Sequence, residues 1–236
     1  MKYIWKILFI VGLSAYSSTL AAQEVVIHGI MYEIVNSSKV RVTMPHSYKE
    51  RIRLYSGKLY IPDSILINNQ IYYVCDIADS FRGCVYLQEV RLPNSLEYII
   101  SSAFADCRSL RHIELPNNIS CIYANAFIGC KSLRSVRMPT NLRIIQESAF
   151  EGCTHLRYID IPQNVIRIDD CAFCGCNRLR EIYIYASIPP IFEIDSSNSF
   201  YGVNTSIPIH IPKGSKPIYL QEGGWSSFTN IIDDIL

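Results

Sequence analysis

Nine cysteines in a chain of 236 residues are the first side chains to ask for chemistry. Cys171, Cys174 and Cys176 lie in "DCAFCGC", a C-x-x-C-x-C spacing that gathers three potential thiolates. A closed zinc site wants four ligands in a tetrahedron, so the run is one short and no metal is expected there. Cys176 is also one of five cysteines that recur inside near-copies of a single stretch: "DSFRGCVYL", "SAFADCRSL", "NAFIGCKSL", "SAFEGCTHL" and "CAFCGCNRL". A sulfur kept at that spacing could react, crosslink or only pack. Outside the cysteines the sequence carries no H-E-x-x-H, no G-x-S-x-G, no P-loop and no G-x-G-x-x-G. Its five histidines are scattered. We therefore expect neither an enzyme nor a cofactor.

The elements that must position these residues come from a repeat. From Ile77 to about Ile191 the chain aligns on itself every 23 residues. The Phe column is Phe81, Phe104, Phe127, Phe150 and Phe173, and the Cys column is Cys84, Cys107, Cys130, Cys153 and Cys176. Leu87, Leu110, Leu133, Leu156 and Leu179 form a third column, and further apolar columns and a Pro column (Pro93, Pro116, Pro139, Pro162) complete the unit. Within "LRHIELPNNISCI", Ile113 and Leu115 alternate with His112 and Glu114, the two-residue period of a strand with one buried face. Pro116 removes a ladder donor and ends that strand. "SSAFADC" suits a single helical or 3₁₀ turn that points Phe104 and Cys107 inward. One unit alone has no partner for its apolar face, whereas stacked copies bury it against each other, so the fold expected is a solenoid.

The stack bears on the sulfurs. Equivalent residues in neighbouring coils lie about 4.8 Å apart, within the Cα separation a disulfide accepts. Their side chains point the same way rather than at each other, so the column is expected to hold buried thiols acting as small hydrophobes. Cys171 and Cys174 stand outside it, and a disulfide or a surface thiol fits either. The odd total leaves at least one thiol unpaired.

Outward positions of the stacked strands are where a partner would bind. One column reads Gln88, Arg111, Arg134, Arg157, Arg180; a second reads Glu89, His112, Ser135, Tyr158, Glu181; a third reads Arg91, Glu114, Arg137, Asp160, Tyr183. The third alternates in sign, so cross-strand ion pairs could neutralise it as a solvated ladder. Four arginines in file repel one another unless acids or a ligand intervene. The candidate ligand-binding residues are Arg111, Arg134, Arg157 and Arg180 with His112, Tyr158 and Tyr183, since Arg and Tyr carry interface energy. For His112 the competing reading is an ordinary solvated residue.

The flanks read as caps. Residues 24–76 alternate polar and apolar with turn signals at "NSS" and "NNQ", which predicts short antiparallel strands within an N-terminal cap over 23–76. After the five repeats of 77–191, residues 192–236 hold a degenerate repeat around Phe200, an edge strand at Ile207 to Ile211, a short helix after Gly214, and Trp225 and Phe228 to cover the last apolar face. The N-terminus reads as a signal peptide over 1–22: Lys2 and Lys6 supply charge, Ile7 to Leu13 a short apolar run, and "STLAAQ" a cleavage site after Ala21 or Ala22. An uncleaved anchor is the alternative, because Lys6 interrupts the apolar stretch. The apolar run is far short of the ~20 residues of a spanning helix, and the cysteine that bacterial lipoproteins place at the cleavage point is missing. With 22 basic and 21 acidic residues the chain has no global field for nucleic acid or an anionic membrane.

Leu110, Ile113 and Leu115 occupy the L, L, L positions of the leucine-rich pattern L-x-x-L-x-L-x-x-N, with Asn118, Asn141 and Asn164 at its Asn and Ser95 and Ser187 in the outer copies. More closely, the A-F-x-x-C-x-x-L-x-x-I-x-L-P-x-x-L/I-x-x-I arrangement resembles the BspA-type (Treponema-type) leucine-rich repeats of exported bacterial proteins. The resemblance implies a β-rich α/β solenoid of parallel strands with a short helical turn per repeat. It also implies a non-catalytic, exported ligand-binding protein of the adhesin kind, contacting an extracellular protein or acidic glycan through a concave sheet, secreted or at the cell surface, with the periplasm possible. A structural or periplasmic scaffold, and an enzyme or inhibitor using the cap loops, are the alternatives.

Overall fold

The computed structural model describes residues 24–44, 55–78, 80–192 and 199–236; the signal peptide expected over 1–22 lies outside them. Six strands open the chain: β1 (Glu24–Ile27), β2 (Ile30–Ile34), β3 (Lys39–Thr43), β4 (Gly57–Tyr60), β5 (Ser64–Ile67) and β6 (Gln70–Ile77). Each repeat then supplies two strands. The longer ones are β7 (Leu87–Arg91), β9 (His112–Glu114), β11 (Ser135–Arg137), β13 (Tyr158–Ile161) and β15 (Glu181–Ile184). The two-residue ones are β8 (Tyr98–Ile99), β10 (Cys121–Ile122), β12 (Ile144–Ile145), β14 (Arg167–Ile168) and β16 (Ile191–Phe192). β17 (Ile209–Pro212), α1 (Lys216–Gln221) and β18 (Ile231–Ile235) close the chain.

Residues 23 apart pair in register: Ser135 with His112, Val136 with Ile113 and Arg137 with Glu114, and Tyr158 with Glu181 through Ile161 with Ile184. All pairs along this face are parallel, in the order β4-β7-β9-β11 and then β13-β15-β17-β18. The amide of Arg157 reaches the carbonyl of Arg134 at 3.4 Å across the junction of the two runs. β10, β12, β14 and β16 form a second parallel ladder behind it, and β8 pairs with β6. The apolar columns are buried between these ladders. The Phe rings make a continuous stack, Phe81 to Phe200, with neighbouring centroids 5.0 to 5.3 Å apart. Tyr55 closes one end and Trp225 with Phe228 the other.

The turn that carries Phe and Cys is not helical, contrary to expectation. Alternate amides leave the coil: Ser102, Phe104 and Asp106 donate to Ala124, Ala126 and Ile128 of the next repeat at 3.1, 2.9 and 2.7 Å. The intervening amides, those of Ala103, Ala105 and Cys107, close i to i+3 turns on Ile100, Ser102 and Phe104. A helix would commit every amide to its own coil, so the stack wins the donors and leaves successive tight turns. These turns need left-handed backbone, which glycine adopts at no steric cost. One column holds Gly83, Gly129, Gly152, Gly175 and Gly202, with φ between 70° and 81°, and Asp106 at 57° in the same position. A Cβ on Gly152 would meet only ordinary contacts at 3.8 Å, so the cost of a side chain there is conformational. Gly152→Ala is expected to lower stability by about 1–2 kcal/mol, read as a lower midpoint in chemical denaturation.

The caps also depart from expectation. β3 and β6 pair parallel, because the chain leaves this sheet for β4 and returns, and only β1-β2-β3 and β5-β6 are antiparallel. β4 is the first strand of the repeat face, with Leu59 opposite Val90. The strand ending in Ile211 is not the edge, since β18 pairs beyond it. Trp225 is buried as expected and donates its Nε1–H to the Pro190 carbonyl at 2.8 Å.

Candidate functional site

The cysteine column is built into the core. The thiols of Cys107, Cys130, Cys153 and Cys176 donate to the carbonyls of Phe81, Phe104, Phe127 and Phe150 in the preceding coil, at 3.0, 3.1, 3.3 and 3.3 Å. Burial pushes the Cys107 and Cys153 thiols well up and that of Cys176 up to about 12. A column thiol is thus a small apolar group with one weak donor, spent on stitching coil to coil. Cys171 and Cys174 are joined in a disulfide, which takes two of the three sulfurs that the C-x-x-C-x-C spacing offered a metal. Cys176 faces the core.

Charged groups line the face of β4 to β18. Its third column is partly neutralised: Arg137 pairs with Glu114 at 2.8 Å, and the Arg91 guanidinium sits 5.5 Å from the ring centre of Tyr60. The second column is tied up as well. Lys58 holds Glu89 at 2.7 Å, and this hydrogen bond lowers the Glu89 carboxyl from its usual range. His112 Nδ1 lies 2.7 Å from Ser135 Oγ. Glu181 accepts the Tyr183 hydroxyl at 2.9 Å. Asp160 is pushed up by burial. Tyr183 also stacks on His210 at 4.5 Å, and His210 pairs with Asp234 at 2.9 Å. A pocket of about 360 Å³ lies over the first repeats, with Glu89, Arg91, His112, Glu114 and Arg137 in its wall.

The arginine column differs from both. Arg111, Arg134, Arg157 and Arg180 stand at the entry to β9, β11, β13 and β15, and all four are exposed. Their main chains form one ladder: Arg111 donates to Gln88, Arg134 to Arg111, Arg157 to Arg134 and Arg180 to Arg157, at 3.1, 2.9, 3.4 and 2.8 Å. Among the described residues no carboxylate pairs with any of the four guanidiniums. Tyr158, 45% exposed, lies in the adjoining column. Of the candidates, then, the four arginines and Tyr158 are open to a partner, whereas His112 and Tyr183 are held by neighbours. Sequence reasoning missed Lys58, Tyr60 and His210, which extend the same face from the caps. Their signals were the "LYIP" and "IHIP" echoes of the repeat strand and its proline.

The BspA-type leucine-rich repeat region matches residues 76–207 in six copies. The chain belongs to the BspA-type leucine-rich repeat family. The matched region runs past the five regular repeats and includes Phe200, which continues the ring stack. The solenoid is similar to the crystal structure of a leucine-rich repeat protein from Bacteroides ovatus ATCC 8483, with a TM-score of 0.60 and 24% identity over 81% of this chain. That likeness shows the leucine-rich repeat fold, and the chain spans 59% of the Bacteroides protein's length. A leucine-rich repeat protein of T. pallidum is 18% identical, with a TM-score of 0.48 over 80% of this chain and 71% of that one. A leucine-rich cell surface protein of Faecalibacterium prausnitzii A2-165 is also 18% identical, with a TM-score of 0.40, over 89% of this chain and 73% of that one. No curated protein matches the chain.

Proposed function

We propose that the protein is an exported, non-catalytic binding module of the adhesin kind, which contacts an extracellular protein or acidic glycan through the face of β4 to β18. The observation that carries this reading is the file of four exposed guanidiniums with which no carboxylate pairs among the described residues. Like charges on adjacent strands are destabilising, and a folded chain that tolerates the repulsion gains when an anionic partner fills the row. Arginine suits the role because its planar fork meets carboxylate and sulfate oxygens two at a time. Export rests on the N-terminal charge, apolar run and small-residue cleavage site. Among the described residues no helix is long and apolar enough to cross a membrane.

The test is a solid-phase binding measurement with the purified protein against extracellular-matrix proteins and acidic glycans. Binding that weakens as salt rises supports the reading, because exposed charges are screened beyond about 8 Å at physiological ionic strength. Binding indifferent to salt would count against the arginine row, and the absence of any partner would favour a scaffold.

A further inference from the structure

The arginine row is the inner edge of a wider basic strip. The first of the five segments that lead from the Cys column into the strands, "CVYLQ", is uncharged, and the other four read "CRSLR", "CKSLR", "CTHLR" and "CNRLR". They contain seven arginines or lysines, one histidine and no aspartate or glutamate. Beyond the row itself the cations are Arg108, Lys131 and Arg178, all exposed. Arg108 is partnered by Asp106 at 3.2 Å, just outside its segment. Among the described residues no carboxylate pairs with Lys131 or Arg178. The opposite rim, where the strands end, carries Asn94, Asn117, Thr140 and Gln163 instead. The asymmetry belongs to the fold, because each segment is stacked on the next by the arginine amides.

We propose that this strip binds a linear anionic polysaccharide running along the stack axis, a refinement that rests on the binding-module reading above. Three features favour that class. The cations stand in file at steps of about 4.8 Å, spanning about 14 Å over four coils, which suits a chain of regularly spaced sulfates or carboxylates. The apolar residues of the segments, the Cys and Leu columns, are buried, so the strip offers no socket for the side-chain anchors that dominate protein interfaces. These four segments contain no Phe, Tyr or Trp, the rings on which single-stranded nucleic acids stack their bases. Ser109, Ser132, Thr154 and Asn177 add hydrogen-bonding groups between the cations, as hydroxyl-rich sugars require.

Fluorescence-labelled oligosaccharides of heparin, sulfated, and of hyaluronan, carboxylated only, are titrated with the full chain at low and physiological salt. The variant Lys131→Glu/Arg178→Glu changes the strip without touching the arginine row. Arg82→Glu/Lys213→Glu makes the same charge change at exposed positions outside the four segments. We expect binding of one or both polysaccharides that weakens with salt, about tenfold weaker in the strip variant and changed by no more than about twofold in the control. Unequal binding of the two probes would say which anionic group is read. The proposal is overturned if neither polysaccharide binds at low salt, if the control loses as much as the strip variant, or if poly-glutamate or a single-stranded oligonucleotide binds as tightly. A chain that captures a matrix protein while ignoring both polysaccharides would overturn the polysaccharide and leave the binding module standing.

Discussion

Truncating Phe127 to alanine is expected to cost about 3–5 kcal/mol of stability, the range for emptying a fully buried aromatic site. Phe127 is buried and its ring lies between those of Phe104 and Phe150, at 5.3 and 5.2 Å and within 4° of parallel with each. The stack cannot collapse onto the hole, because the coil spacing is set by main-chain bonds such as Phe104 N–H to Ala126 O at 2.9 Å and Phe127 N–H to Ala149 O at 2.8 Å. Since repeats contact only their neighbours, the damage is also expected to divide the solenoid, replacing one sharp urea transition by a broader or two-step one. A loss below about 1 kcal/mol with the transition still sharp would mean that the Phe column is not the continuous core described here.

Suppression of thiol reactivity is the second large effect. For Cys176, a pKa near 12 in place of 9.0 lowers the thiolate fraction at neutral pH about a thousandfold, and the thiolate is the form that reacts. Cys107 and Cys153 are shifted in the same direction by burial, so all three should resist an aromatic disulfide reagent until the protein unfolds. Cys121 should react first. It is only half-buried, although burial still pushes it up to about 11, with the Asp169 charge adding to the effect. The disulfide of Cys171 and Cys174 should stay silent unless reduced. Rapid labelling of Cys107, Cys153 and Cys176 in the folded protein would contradict the inward orientation of the column.

Columns such as Phe104, Cys107 and Ile113 were legible in the sequence because burial permits few residue types and the repeat shows the same choice five times. Their register followed at once from the period. The turn conformation was not legible, since Phe and Cys at that spacing suit a helical turn and a ladder equally. What decides is the competition for amides between the coil and the next repeat. The ends were harder still. β4 and β18 join the repeat face through long-range pairing, and β18 reads "IIDDI", where two adjacent acids hide the alternation. On the surface, the alternating sign of Glu114 and Arg137 announced their ion pair correctly. The stacking of Tyr183 on His210 did not show, because His210 and the Asp234 that pairs with it come from the terminal cap. Lys131 and Arg178 were passed over because they precede the strands, and only the stacked turns bring them beside the arginine row.

The proposed division of labour, in which repeated residues build the stack and the exposed arginines between them grip a partner, is tested most directly by Arg134→Glu/Arg157→Glu. Both side chains are exposed and no carboxylate pairs with either among the described residues, and reversal relieves repulsion along the row. The thermal midpoint is therefore expected to stay the same or rise slightly, while binding to the extracellular partner weakens by about tenfold or more and loses most of its salt dependence. Undiminished binding by a normally folded variant would contradict the arginine row as the site.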